Sequence, residues 1–117
     1  GKYDVNNEGI SALNKLSEVL SNQQDLEIIV EGHTDSIPLS GRGLVKDNWD
    51  LSVLRATSVV KVLTNNSQIK SSQLMAAGQG EFSPIMTNLT VEGRSANRRI
   101  DIILSPNLDE FFNLLDE

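Results

Sequence analysis

Leu26-Glu27-Ile28-Ile29-Val30-Glu31-Gly32-His33-Thr34-Asp35, followed after a turn-rich interval by Asn48-Trp49-Asp50-Leu51-Ser52-Val53-Leu54-Arg55-Ala56, decides how this chain folds. In the first stretch acids at Glu27 and Glu31 alternate with Ile28 and Val30, which reads as a strand with one buried face; Ile29 interrupts the polar face, so the other side is only partly wet. Ser36 to Asp47, with Pro38, Gly41 and Gly43, is too rich in turn formers for regular structure. In the second stretch Asp47 or Asn48 caps a helix running to about Asn65, with Leu51, Val59 and Val62 as its inner stripe and Arg55 one turn from both Leu51 and Val59.

Upstream, Asn6 or Asn7 caps a helix from near Glu8 to about Ser21, where Ile10, Leu13, Leu16 and Leu20 recur at helical intervals. Lys2 to Val5 reads as the tail of an earlier strand; with Gly1 in place of an initiator Met, the expectation is a C-terminal piece of a longer protein. Downstream come a short strand over Leu74 to Ala77, turns at Gly78-Gln79-Gly80, Pro84 and Asn88, a short helix near Val91 to Ala96, and a strand from Arg98 to Leu104. That last strand places Ile100, Ile102 and Leu104 on one face. Beyond Pro106, Asn107-Leu108-Asp109-Glu110 has capping-box spacing, so 106–117 is expected to form a terminal helix. Its Phe111, Phe112, Leu114 and Leu115 would cover the sheet face carrying Ile29 and Ile103.

Strands alternating with helices give an α+β class: a single domain, 1–117, in two layers, with a small mixed sheet and helices mainly on one face, plus the C-terminal helix. A chain of 117 residues can bury a stable core without metal or disulfide, and there is no cysteine. Acids outnumber bases 16 to 10, a net charge of −6, which argues against nucleic acid as a partner. No stretch approaches the ~20 apolar residues that span a bilayer, so the domain itself is not membrane-embedded.

Asp35 at a strand end and Arg55 on the inner side of the next helix offer one acceptor for an ammonium and one planar fork for a carboxylate, which suits a zwitterion. The residues alone leave a second reading open, a structural salt bridge between the two. His33 is the only histidine, too few ligands for a zinc site, so no metal or cofactor is expected. Asp35, Asp47 and Asp50 invite comparison with glycosidase carboxylate pairs, yet Asp47 and Asp50 stand where helix caps and first-turn acids belong. Ser52 and Ser58 have no histidine placed to act as a base, so no enzyme is expected. Trp49 either staples the long loop or contacts glycan, the area an indole gains by burial favouring the staple, and Arg94 and Arg99 are read as pairing with surface acids or cap carbonyls.

Three motifs, Gly32-His33-Thr34-Asp35, Asn48-Trp49-Asp50-Leu51-Ser52-x-x-Arg55-Ala56 and Asn97-Arg98-Arg99, in this order resemble the peptidoglycan-binding domain shared by the C-terminal half of OmpA, Pal and MotB. The resemblance implies an OmpA-like fold and a non-catalytic anchor to the cell wall. In that family the aspartate and arginine grip the ammonium and carboxylate at the D-centre of meso-diaminopimelate in the stem peptide. Carried over, these are Asp35 and Arg55, with Thr34, Asn48, Leu51 as an apolar wall, Asn97 and Arg98 completing the site. The interval after Asp35 is longer than in typical OmpA and Pal members, and its Pro38 and Trp49 lean toward MotB-like members or OmpA-family envelope proteins of Bacteroidetes-like bacteria. The implied partner is the peptidoglycan stem peptide. The implied setting is the periplasm, with the parent protein membrane-anchored, in the outer membrane of a Gram-negative bacterium. A dimerising stator or assembly module, a homodimer with conditional wall binding, is the alternative.

Overall fold

The computed structural model describes residues 3–39, 41, 43–65 and 69–106. The elements are α1 (Asn7–Leu20), β1 (Leu26–Gly32), α2 (Asn48–Thr64), β2 (Leu74–Gly78, entered through a 3-10 turn at Ser71–Gln73), α3 (Val91–Asn97) and β3 (Ile100–Pro106). The sheet has the order β2-β1-β3; β1 pairs parallel with β2 across the α2 crossover and antiparallel with β3. This is an α+β sandwich. Each helix starts where a side chain satisfies an orphaned amide: Asn6 accepts from Gly9 N, Asp47 from Asp50 N and Thr90 from Gly93 N.

Alternation in β1 sends Ile28 and Val30 fully into the core, where they meet Leu20 of α1 and Ala56, Val59 and Leu63 of α2. Gln73 ties the layers at the far end, its Nε2 donating to the carbonyls of Gln23 and Leu26 at 2.9 and 3.0 Å. At the near end α2 lies almost on the backbone of the sheet. Gly32 and Gly78 are ladder partners, and a Cβ on Gly32 would run into the Ser52 carbonyl while one on Gly78 would meet Ser52 Oγ and Val53. Ser52, wholly buried, donates to Trp49 O and accepts from Gly80 N at 3.0 Å. The pair of glycines therefore sets the height and rotation of the first turns of α2.

Several expectations are corrected. Tyr3–Val5 do not form a strand, so the described sheet has three strands rather than four; these residues instead flank a groove of about 570 Å³ against α1, α2 and β3. The inner stripe of α2 passes through Leu63, fully buried, rather than Val62, because the flush contact at Ser52 rotates the helix. The final strand starts at Ile100 and takes in Pro106, since α3 continues to Asn97 and Arg98 caps it. Leu104 is half exposed although Ile100 and Ile102 pack on the core. The expected terminal helix lies outside the described residues from position 107 onward. Trp49 does not staple the loop from a buried position: it is 47% exposed and its ring stacks on Phe82 with centroids 5.0 Å apart.

Because a methyl at position 32 has no space below α2, Gly32→Ala is expected to lower unfolding free energy by about 1–3 kcal/mol in urea titration. Unchanged stability would contradict the close approach.

Candidate functional site

Where β1 ends, the chain continues the ladder for two residues: His33 N donates to Arg99 O and Thr34 N to Gly80 O, both at 2.9 Å. Asp35 therefore emerges from a fixed strand end, with α2 standing beside it. Thr34, Asp35, Ile37, Leu39, Asn48, Leu51, Arg55 and Arg98 line one cavity of about 160 Å³. It is too small for a drug-sized ligand, which takes roughly 300 Å³ or more, and matches a single amino-acid head group.

The polar wall is preorganised. Asp35 is 8% exposed; its Oδ1 accepts from Ile37 N at 3.0 Å and its Oδ2 from Arg98 Nη1 at 2.7 Å. An ionised carboxylate offers about four lone-pair sites, so two remain beyond the donors among the described residues. Asn48 is the first residue of α2, directly after the Asp47 cap, and its Nδ2 donates to the carbonyls of Asp35 and Ile37 at 3.2 and 3.1 Å. It shapes the loop that carries Asp35. Thr34 Oγ1 donates to Asp35 O, and Leu51 supplies the apolar side. Burial first, and the neighbouring Arg98 charge second, hold the Arg55 guanidinium below its ordinary pKa, against the opposing pull of Asp35. Arg55 nonetheless stays cationic at physiological pH. Two guanidinium groups thus face one carboxylate across the cavity, an arrangement that favours a ligand bringing a carboxylate together with an ammonium.

The structure brings Thr34, Asp35, Asn48, Leu51, Arg55 and Arg98 together, and removes Asn97 from the group. Asn97 is wholly buried and saturated: its Oδ1 accepts from Ile85 N and Met86 N, and its Nδ2 donates to Met86 O and Asn88 Oδ1. It locks the 84–90 loop, a structural task that a neighbouring position in the motif conceals. His33 points away from the cavity toward Glu31 and Asp101. Ile37 and Leu39, which sequence reasoning did not pick out, form the rim, because the loop after Asp35 folds back over Asn48. Asp47 and Asp50 are engaged in capping, Asp47 accepting from Asp50 N and Asp50 from Lys46 N. Arg94 donates to Asn88 O, and Arg99 to Asp101 and Ser83 O, as surface and carbonyl partners.

Comparison with known proteins matches residues 1–98 to the OmpA family. The chain belongs to the OmpA family. This OmpA-family domain is similar to Motility protein B of Bacillus subtilis (strain 168), 34% identical over 106 residues that make up 91% of the chain and 40% of that protein. The chain thus spans less than half the length of that relative. Among solved structures it is similar to the periplasmic domain of Helicobacter pylori MotB, with a TM-score of 0.81 and 26% identity over 98% of this chain and 72% of that one. In fold alone it also matches the peptidoglycan-associated lipoprotein from Burkholderia pseudomallei, at 23% identity and a TM-score of 0.75 over 89% of this chain and 83% of that one. OmpA-family domains of this type are structural modules of the cell envelope, and the chain is not an enzyme.

With two backbone amides depending on its side chain in a dry site, Asn97→Ala is expected to cost about 1–3 kcal/mol of stability while ligand binding in the cavity persists. Full stability with lost binding would return Asn97 to the pocket.

Proposed function

We propose that this OmpA-family domain binds peptidoglycan through the meso-diaminopimelate of the stem peptide and so fastens an envelope protein to the cell wall. The observation that carries the reading is the head-group-sized cavity in which Asp35, Arg55 and Arg98 converge. The ammonium of the ligand takes the remaining lone pairs of Asp35, and its carboxylate lies against the guanidinium of Arg55, with Leu51 beneath the carbon between them. Thr34 and Asn48 act one step back, holding the backbone that aims Asp35. In this reading the module works in the periplasm and its parent protein is anchored in the outer membrane of a Gram-negative bacterium. No helix among the described residues is long and apolar enough to cross a membrane.

The similarity to Motility protein B favours one second reading, a dimerising stator or assembly module whose wall binding depends on association. Sedimentation velocity across a concentration series separates the two: a monomer that binds wall supports the tether, and binding that tracks dimer formation supports the stator.

Cosedimentation with purified sacculi tests the site. Asp35→Ala and Arg55→Ala, each folded by circular dichroism, are expected to lose ~2 to 5 kcal/mol of binding, enough to leave the protein in the supernatant. Sacculus binding retained by both variants would sink the assignment.

A further inference from the structure

On the sheet face turned away from Ile28 and Val30, β1, its ladder-like continuation at His33, and β3 assemble three side chains that the cavity does not use. Glu31 and Asp101 stand directly opposite each other in the antiparallel ladder, and His33 follows Glu31 by two residues, so all three project to the same side. His33 Nε2 lies 2.6 Å from Glu31 Oε1 and 3.4 Å from Asp101 Oδ2, and one ligand atom from each residue falls within 4.8 Å of the others. Two carboxylates facing each other across a ladder repel. Arg99, whose Nε reaches both Asp101 oxygens at 3.2 and 3.3 Å, offsets one of those charges and leaves the other. The imidazole is 1% exposed and its Nδ1 is enclosed with no hydrogen-bond partner among the described residues, so within these the polar contacts of the ring all lie on the carboxylate side.

We infer that Glu31, His33 and Asp101 form a binding site for a divalent transition-metal ion, zinc being the best chemical match. One imidazole nitrogen and two carboxylate oxygens supply three ligands, and the fourth position opens to water beside the Asp101 side chain, which is 42% exposed. Ligands carried at adjacent positions of paired strands are held more firmly than ligands on loops. Adjacent ligands of a tetrahedral zinc ion stand ~3.3 Å apart, so admitting the ion asks the Glu31 carboxylate to move by less than about 1 Å from His33. Arg99 then remains as the outer partner that orients Asp101. A bound ion would tie β1 to β3 immediately before Thr34 and Asp35. Counting histidines and cysteines along the chain misses this site because two of its ligands are carboxylates and one of them comes from β3. The inference is independent of the peptidoglycan reading.

Calorimetric titration of the chain with zinc chloride, paired with thermal unfolding at rising zinc concentration, tests it. The expected result is one zinc per chain, a rise in unfolding temperature, and no such rise with magnesium at equal concentration. Asp101→Asn, at a half-exposed position that should not disturb folding, is expected to weaken zinc binding by at least ~10-fold, and His33→Gln to do the same if it folds. Absence of zinc binding, an equal shift with magnesium, or affinity in Asp101→Asn within twofold of the parent would each overturn the assignment.

Discussion

The near contact between α2 and the sheet at Gly32 and Gly78 is the constraint on which the remaining architecture hangs. Helices usually rest on side chains, about 10 Å above a sheet; here two facing glycines let the backbone at Ser52 settle onto the strands. Once Ser52 is fixed, the 3.6-residue period of the helix dictates the rest. Asn48, Leu51 and Arg55 come round to the side where Asp35 leaves β1, while Ala56, Val59 and Leu63 turn inward to Ile28 and Val30. Core packing and the cavity are two consequences of one helix placement, so damage at the glycines should propagate to both.

The cavity itself is an electrostatic arrangement built before any ligand arrives. Asp35 already has Arg98 and a backbone amide as partners, which offsets the desolvation of a carboxylate at 8% exposure. Arg98 pairs with the Asp35 carboxylate while remaining partly exposed itself, and under the proposed function it would share that carboxylate with the ligand's ammonium. Arg55, partly desolvated and beside Arg98, stands on the same cavity wall as Asp35. Specificity in such a site comes from what an unsuitable ligand would leave unpaired, more than from what a suitable one gains.

Much of this was legible in the sequence because the signals were local. Caps narrowed to Asn6 or Asn7 and to Asp47 or Asn48, which the structure resolves as Asn6 and Asp47, the alternation through Ile28 and Val30, and the spacing of Leu51 and Arg55 each rest on one or two turns of chain. What escaped was set by distant neighbours. The rotation that buries Leu63 in place of Val62 depends on Gly78, and the saturation of Asn97 depends on where the 84–90 loop passes. The meeting of His33 with Asp101 depends on the register of β3, which no periodicity within either strand specifies. Trp49 was misjudged for the same reason: its stacking partner, Phe82, lies beyond β2.

Under the proposed function Arg55 and Asp35 together read a zwitterionic head group. Calorimetric titration with a stem peptide carrying meso-diaminopimelate, beside the same peptide with lysine at that position, tests it most directly, since lysine lacks the second carboxylate. The expected result is binding of the diaminopimelate peptide and at least ~10-fold weaker binding of the lysine peptide, the loss of one charge-assisted contact. Equal affinity for both peptides, or none for either, would contradict it.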